Sequence, residues 1–512
     1  MSLIISQGIV KIFGLVYKLY LANKQGFGDC GNAIYNSGYQ IYALLLTISS
    51  IGVPNAVSKL VSEKYYSGNK IEIIKIVKSS LFLFSIVGII FSIALAMSAD
   101  FISDKLLNIK EAKYSIIALS PAILSVCLIS VYRGLYNGTK EIGTTAKSQA
   151  IEQILKTAFT VAFVEVIFVI TKANTVMMAA IANFATTVAT WLCLIYLHKK
   201  NNTQNKEIKI EKKYIKRILK ISIPISLSSV LASFNKNIDS ITVVRFLKDN
   251  IGERNAKIQY GILSGKIDVL ATLPVSFVIA IATTVIPTVS MYNAQKNQSG
   301  VRGVIKTYLL YTIILVIPCA IGMIAFSDQI LKLLFNNNAG SFLLKISALS
   351  IIFISIEQIV NAALQGIGKV LVPMFALTIG VIMKIIVSVL LIRIPDKSFI
   401  LGGTAGACVS TLICHIVATS IGLCVLNKKI KLNLEISKYI LKPIISSCIM
   451  LVCLNYSYFW LKGIFYENVA IILAIMIAGI TYITSIFSLR TFNKNELEMI
   501  QNLSILTKNK KK

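Results

Sequence analysis

Long apolar stretches dominate this chain of 512 residues and constrain its fold more than any other feature. A helix needs about 20 predominantly apolar residues to cross the hydrocarbon core of a bilayer. Fourteen stretches of this kind lie near residues 3–22, 36–57, 79–99, 114–132, 149–171, 175–197, 221–244, 262–287, 305–326, 346–365, 370–392, 400–425, 440–460 and 466–488. The pattern predicts an all-α polytopic membrane protein with about 14 transmembrane helices.

The composition excludes several classes of protein. Charged residues make up 14% of the chain and hydrophobic residues 55%, whereas soluble proteins carry about 25% charged residues. So little charge over so long a chain excludes a soluble enzyme and a disordered protein. It also excludes a nucleic-acid binder, although the formal net charge is +30.

The distribution of lysine and arginine predicts the orientation of the chain in the membrane. The even-numbered connections and the C-terminal tail hold 32 basic residues, against about 13 in the odd-numbered connections. Basic connections stay on the cytoplasmic side, so both termini are expected to be cytoplasmic. The excess of positive charge is therefore interpreted as a topology signal that also attracts the anionic inner leaflet.

Weak internal similarity divides the chain into two halves at an offset near 230 residues. VPNAVS at 53–58 matches IPTVS at 286–290, LYNGTK at 135–140 matches LQGIGK at 364–369, and Lys156 matches Lys384. Two six-helix lobes in parallel repeat, followed by two extra helices, are predicted, with a substrate path between the lobes. The predicted regions are an N-terminal lobe (1–198), a basic cytoplasmic linker (199–220), a C-terminal lobe (221–425), two extra helices (426–488) and a basic cytoplasmic tail (489–512).

Charged residues inside the predicted spans are candidate functional residues, because each costs about 2.5–3.5 kcal/mol to insert. Glu152 and Lys156 are spaced i,i+4, and Lys236 and Asp239 are spaced i,i+3. Each pair can form a salt bridge along one helix face, so structural pairing and a transport role both stay open for these four residues.

Three further lysines, Lys11, Lys18 and Lys266, have no oppositely charged residue at helical spacing. A cavity lined by ammonium groups suits an anionic headgroup, because a low dielectric strengthens the attraction. Lys18 and Lys24 could instead extend toward the membrane surface. Asp268 and Glu357 are candidates for binding a coupling cation, Na⁺ or H⁺.

Sequence motifs for catalysis are absent. The chain contains no P-loop pattern GxxxxGK[ST], no GxSxG and no HExxH, so no enzymatic activity, cofactor or metal site is predicted. Energy for transport is expected to come from an ion gradient, the membrane potential or substrate flux.

Five longer segments resemble one family of transporters. They are GLVYKLYLANKQG (14–26), IYNSGYQIYALLLTISSIGVPNAVSKLVSE (34–63), YRGLYNGTKEIGTTAKSQAIEQILK (132–156), YGILSGKIDVLATLPVSFVIAIATTVIPTVS (260–290) and LQGIGK (364–369). Through them the chain resembles the polysaccharide-flippase group of the multidrug/oligosaccharidyl-lipid/polysaccharide exporter superfamily. It is most similar to the stage V sporulation protein B group, relatives of lipid II flippases. The resemblance covers about residues 1–425.

The resemblance implies a fourteen-helix, two-lobed transporter that moves an undecaprenyl-pyrophosphate-linked sugar from the inner to the outer leaflet by alternating access. It also implies that basic residues of the first and eighth helices hold the pyrophosphate, which points to Lys18, Lys24 and Lys266. The chain departs from the family at Lys18, where arginine is common, and at Asn137 and Gly143, where glutamine and proline are common. Lysine lacks the bidentate fork of arginine.

Three functions are compared on this basis. The first is a flippase for lipid II or a related glycan lipid, in cell-wall or spore-cortex synthesis, in a bacterial plasma membrane. The second is a cation-coupled multidrug exporter, and the third is a membrane scaffold or a polymerase of lipid-linked sugars. The expected partners are a lipid-linked oligosaccharide and membrane lipids, with no nucleic acid, and a monomer is favoured.

Overall fold

The computed structural model describes residues 2–50, 52–66, 68–201, 210–396, 398–435, 437–489 and 491. Over these residues the regular secondary structure is helical and no strand is present. This confirms the prediction of an all-α fold. A helix satisfies its backbone hydrogen bonds within one segment, and this matters in a bilayer because lipid tails offer no hydrogen-bond partners.

The first part of the chain forms eight α-helices. Their bounds are α1 (Ser2–Asn23), α2 (Gly28–Ser50), α3 (Gly52–Tyr66), α4 (Lys70–Met97), α5 (Ala99–Phe101), α6 (Ala112–Gly138), α7 (Ile142–Ile170) and α8 (Thr175–Lys200). A π-helical segment, Ile102–Leu106, follows α5. Side chains fix several helix starts: the Asn174 side chain accepts hydrogen bonds from the backbone of Val176 and Met177 and so caps α8.

Ten more α-helices complete the described chain. They are α9 (Lys212–Ile251), α10 (Glu253–Ile262), α11 (Asp268–Ala294), α12 (Gln298–Ala325), α13 (Ser327–Phe335), α14 (Ser341–Gly366), α15 (Leu371–Ile392), α16 (Gly403–Ile430), α17 (Lys442–Lys462) and α18 (Glu467–Ser488). Two further π-helical segments, Leu263–Ile267 and Ser437–Leu441, precede α11 and α17.

Twelve helical spans in the described residues are long and apolar enough to cross a membrane. The predicted count of fourteen is therefore not confirmed. The two predicted spans that are not among the twelve correspond to the helices α1 and α9. Both carry charged residues along their length, Lys11 and Lys18 in α1 and Lys236 and Asp239 in α9.

Two compact units make up the fold. Unit 1 contains residues 1–265 and 392–395, and unit 2 contains residues 266–391 and 396–512. The division falls within the π-helical segment Leu263–Ile267, whereas the sequence pattern placed it in the linker 199–220. Helices α9 and α10 pack on α2, and this packing accounts for their place in unit 1. The predicted six-helix lobes, linker and tail stay a prediction, and residues 202–209 of the linker lie outside the described residues.

Unit 1 is built around α6. This helix packs on α2, α3, α4 and α8, while α7 packs on α1 and α8. A buried cluster between α6 and α8 contains Ile129, Tyr132, Cys193 and Leu197. Glycine allows the close approach of α3, since a Cβ added at Gly138 would lie 2.7 Å from the Cβ of Val61. Small residues serve the same purpose at other helix contacts in membranes.

Unit 2 is built around α14, which packs on α11, α12 and α16. The last two helices, α17 and α18, pack on each other, and α17 also packs on α12. The hydroxyl of Tyr482 on α18 donates to the carbonyl of Ile314 on α12 at 2.8 Å. The two extra helices are thus attached to unit 2 through α12.

Local structure repeats along the chain at a constant spacing. Helix α4 spans Lys70–Met97 and helix α12 spans Gln298–Ala325. Both the start and the end of α12 therefore lie 228 positions after those of α4. Asn69 and Asn297, at the same spacing, each cap the following helix by accepting from a backbone N–H three residues on. These matches support an internal repeat with an offset close to the predicted 230.

The same spacing relates the turn after α6 to the turn after α14. A Cβ added at Gly366 would lie 2.8 Å from the Cβ of Val289, as one at Gly138 would meet Val61. Two residues later the backbone of Lys140 and of Gly368 has positive φ, 64° and 82°. The motifs LYNGTK and LQGIGK therefore encode the same close helix contact and the same turn.

Candidate substrate and coupling sites

Lys266 is the most deeply buried of the lysines that the sequence assigned to an anion site. Its side chain is 1% exposed, and its ammonium donates to the Asn337 side-chain oxygen at 2.9 Å. The ring centroid of Phe335 lies 5.8 Å from the same nitrogen. Asn337 follows α13 and also donates to the Phe335 carbonyl, so the hydrogen-bond acceptor of Lys266 is itself held in place.

An irregular stretch of backbone determines where Lys266 lies. The residue lies in the π-helical segment Leu263–Ile267, and single π-helical turns occur often at functional sites. Immediately before it, a Cβ added at Gly265 would lie 2.6 Å from the side chain of Asn32, and one at Gly261 would overlap the Asp29 carbonyl. Glycine at these two positions allows α10 to contact α2 directly.

Lys24 is engaged in a different way from the one predicted. Its ammonium lies 2.5 Å from a carboxylate oxygen of Glu165 and 3.9 Å from the ring centroid of Phe168. Tyr20 donates to the other carboxylate oxygen of Glu165 at 2.6 Å. A phosphate would have to compete with Glu165 for Lys24.

Lys11 and Lys18 lie on α1 in unit 1. Lys11 is exposed and Lys18 is partly buried, and each has an interaction partner. The absence of an oppositely charged residue at helical spacing therefore does not leave these lysines without interactions. Lys11, Lys18 and Lys24 belong to unit 1 and Lys266 to unit 2, and their assembly into one anion site stays a prediction.

The predicted salt bridge between Glu152 and Lys156 is not formed. Glu152 instead accepts from the Arg133 guanidinium at 2.6 Å, and Arg133 also donates to Ser148. These contacts join α6 to α7 inside unit 1. Helical spacing could not reveal this pairing, because Arg133 lies on another helix.

Lys156 is buried against aromatic rings instead of a carboxylate. Its ammonium lies 4.2 Å from the ring centroid of Tyr39 and 4.9 Å from that of Tyr17, and 5% of the residue is exposed. Cation–π contacts of this kind are strongest when they are desolvated. Lys156 therefore joins α7 to α1 and α2.

The remaining acidic candidates differ in burial. Glu357 is buried, and its carboxylate is bonded to His415 at 2.7 Å and accepts from Asn361 at 3.3 Å. Asp268 is exposed at the first position of α11, Asp239 is partly buried on α9, and both have partners. The side chain of Lys236 lies outside the described residues, so the Lys236–Asp239 pair stays a prediction.

Three residues that contact these candidates were not predicted from the sequence: Arg133, Asn337 and His415. Each is distant in sequence from the candidate that it contacts, and His415 stands 58 positions from Glu357. His415 carried a signal that was available, since a histidine within an apolar span is rare and costly. Among the described residues, no group of three or more His, Cys, Asp or Glu side chains is placed to hold a metal ion.

In the described part of the chain, twelve helical spans are long and apolar enough to cross a membrane, and lysine and glutamate side chains are buried among the helices. These features define a multi-pass membrane protein. A family model described as "polysaccharide biosynthesis protein" matches residues 1–293. The chain belongs to this family. A second model, MatE, matches residues 267–390.

Three of the curated relatives are from Bacillus subtilis. The uncharacterized membrane protein YabM is 27% identical over 99% of this chain and 95% of the relative. The lipid II flippase MurJ is 25% identical over 79% of both chains. Stage V sporulation protein B is 22% identical over 88% of this chain and 86% of the relative.

Solved structures show the same fold. A lipid II flippase MurJ in an inward closed conformation has a TM-score of 0.73 and 18% identity, covering 94% of this chain and 97% of that chain. An inward-facing multidrug resistance MATE family transporter has a TM-score of 0.64 and 14% identity, covering 82% and 94%. The fold is therefore shared by flippases and drug transporters, and the fold alone does not choose between them.

Proposed function

We propose that the chain is a flippase that moves lipid II, or a related undecaprenyl-pyrophosphate-linked glycan, from the inner to the outer leaflet by alternating access. The observation that carries this proposal is the buried ammonium of Lys266 beside Asn337 and Phe335. A buried ammonium attracts an anionic headgroup strongly, because a low dielectric strengthens the interaction between charges. The similarity over most of the chain to a relative named lipid II flippase supports the same substrate class.

The proposal includes the cellular setting and the absence of catalysis. The chain acts as a transporter without enzymatic activity or a bound cofactor, as a monomer, in a bacterial plasma membrane with both termini in the cytoplasm. The family model and the sporulation relative support a role in polysaccharide or cell-wall synthesis. The pyrophosphate binds to lysine ammonium groups as to point charges. Lys11 and Lys18 on α1 and Lys24 just after it are the further candidates.

Translocation of fluorescent lipid II in proteoliposomes tests the function. With the purified chain incorporated, a membrane-impermeant quencher is expected to reach inner-leaflet lipid II much faster than in protein-free liposomes. A multi-pass membrane protein of unrelated fold, at equal incorporation, controls for non-specific scrambling. A rate equal to that of the control would contradict lipid II as the substrate.

A second candidate function, cation-coupled multidrug export, is favoured by the buried Glu357–His415 pair in unit 2. A carboxylate bonded to an imidazole can take up and release a proton within the span, and a carboxylate oxygen can also bind Na⁺. The same pair can supply the coupling cation of a flippase, so it does not decide between the two functions by itself.

Glu357→Gln is expected to abolish the response of lipid II flipping to an imposed pH or Na⁺ gradient, because an amide neither titrates nor carries charge. Wild type is expected to flip faster under one of the two gradients, and the dependence identifies the coupling ion. Glu467→Gln, an exposed change at the start of α18 in the same unit, serves as the control. An undiminished response in Glu357→Gln would exclude this residue as the coupling site.

Growth of a drug-sensitised strain distinguishes export from flipping. We expect no gain in resistance to cationic drugs when the wild-type chain is expressed. A gain in resistance that is lost in Glu357→Gln would support the exporter instead of the flippase.

A further inference from the structure

A polar cleft lies in unit 1 at the C-terminal end of α9, away from the residues assigned to substrate binding. Its volume is about 980 Å³. The walls come from α9, from the connection that follows α5, and from Arg393 just after α15. All lining residues belong to unit 1, and the connections involved are odd-numbered ones, which the orientation prediction places on the outer side of the membrane.

The lining of the cleft carries an excess of positive charge, with five basic and three acidic side chains. Two of the acids are already compensated. Asp104 lies 3.5 Å from Lys105 and 3.6 Å from Lys110, and Glu253 lies 2.7 Å from Lys257. These carboxylates are balanced by lysines and leave the arginines available.

Two arginines of the cleft have guanidinium groups without a carboxylate partner among the residues that the structure describes. Arg245 has no hydrogen-bond or ion-pair partner in that part of the chain, not even Asp249 one helical turn further on. Arg393 stacks on the ring of Phe246, with 4.7 Å between the guanidinium carbon and the ring centroid. Asn250 donates to the Arg393 carbonyl at 2.8 Å and fixes its backbone.

The internal repeat provides a comparison for Arg393. At the constant spacing of 228 positions, Arg393 corresponds to Glu165, which binds Lys24 and Tyr20 of α1. In the second half the acid is replaced by a base, and the lysine position, 252, is a glycine. At the position of Glu165 the second half thus carries the opposite charge, that of Arg393. Because Gly252 replaces the lysine, the salt bridge of the first half has no counterpart at these two positions, and Arg393 lines the cleft.

We propose that Arg245 and Arg393 form a binding site for a phosphate-type oxyanion, such as a diphosphate. Two guanidinium forks match the geometry of phosphate oxygens, and stacking on Phe246 holds one fork ready to bind. A site on the predicted outer side would receive the diphosphate of a lipid-linked glycan after translocation, which rests on the proposed function. Anion binding itself does not depend on transport.

Binding of inorganic pyrophosphate to the full chain in phosphatidylcholine nanodiscs tests the site by isothermal titration calorimetry. Wild type is expected to bind pyrophosphate, and the double variant Arg245→Gln/Arg393→Gln to bind it at least tenfold more weakly when both are compared in a Lys266→Met background, which removes the buried ammonium of the proposed substrate site. The lysine variant Arg245→Lys/Arg393→Lys is expected to be intermediate, because it keeps the charge and loses the forks.

Arg254→Gln is the matched control, since Arg254 is an exposed arginine on the neighbouring α10 that does not line the cleft. Its affinity for pyrophosphate is expected to equal that of wild type. No binding by wild type, or equal affinity in wild type and the double glutamine variant, would overturn the proposal. A chain that fails to flip lipid II but binds pyrophosphate through the arginines would contradict the flippase and leave the site intact.

Competition identifies the source of the oxyanion. Lipid II placed in the nanodiscs is expected to displace pyrophosphate from wild type, while phosphatidylglycerol at the same density is expected to displace much less. Displacement by phosphatidylglycerol as strong as by lipid II would retain the oxyanion site but overturn its assignment to the glycan lipid.

Discussion

Lys266→Met is expected to slow lipid II translocation in proteoliposomes by about 10- to 100-fold. A hydrogen bond from a charged group contributes about 1.5–3 kcal/mol, and each 1.4 kcal/mol changes a rate about tenfold. Methionine fills a similar volume and removes the ammonium that donates to Asn337. The rate of quenching of fluorescent lipid II, at equal protein incorporation, measures the effect.

Two further variants show whether the buried charge is what matters. Lys266→Arg keeps the charge and is expected to retain part of the activity. Lys332→Met removes an exposed lysine of α13 in the same unit and is expected to leave the rate unchanged. Translocation by a folded Lys266→Met protein at the wild-type rate would remove Lys266 from the substrate site.

Arg133→Met is expected to lower the free energy of unfolding by about 1–3 kcal/mol, because it leaves the Glu152 carboxylate without its guanidinium donor between two helices. The side chains of Arg133 and Glu152 are 16% and 27% exposed, so solvent compensates only part of the loss. Equilibrium unfolding by SDS in mixed micelles measures the change.

Breaking an ion pair whose carboxylate is more exposed provides the contrast. Lys24→Met removes the partner of Glu165, whose side chain is 48% exposed, and is expected to cost about 0.2–1 kcal/mol. The double variant Arg133→Met/Glu152→Met is expected to be more stable than Arg133→Met, since no isolated charge remains buried. Equal stability of Arg133→Met and Lys24→Met would show that the Arg133–Glu152 pair is not a buried interaction in energetic terms.

Hydropathy predicted the helical fold, because long apolar stretches leave a signal within short windows of sequence. The division into two six-helix lobes stays a prediction, supported by the matching local structure at a spacing of 228 positions. Twelve of the fourteen predicted spans are found among the described residues, and the other two coincide with the helices α1 and α9. Packing on α2 draws α9 and α10 into unit 1, and no local pattern encodes that choice.

Charged partners were predicted only where they could lie on one helix. Glu152 found Arg133 on α6 instead of Lys156 on its own helix, because the guanidinium offers two donors in a fixed plane and bonds Ser148 as well. Glu357 likewise contacts a residue of another helix, His415 of α16. Single-helix spacing contains no information about which helices become neighbours.

The constant spacing of 228 positions also bears on how the halves diverged after a duplication. The position that corresponds to Lys266 in the first half is Gly38, and a Cβ there would lie 2.8 Å from the Cβ of Ser115. A side chain as long as lysine has no room at that point without separating α2 from α6. A buried lysine is therefore accommodated at this position of the second half, whereas the close packing of α2 on α6 excludes one at the matching position of the first.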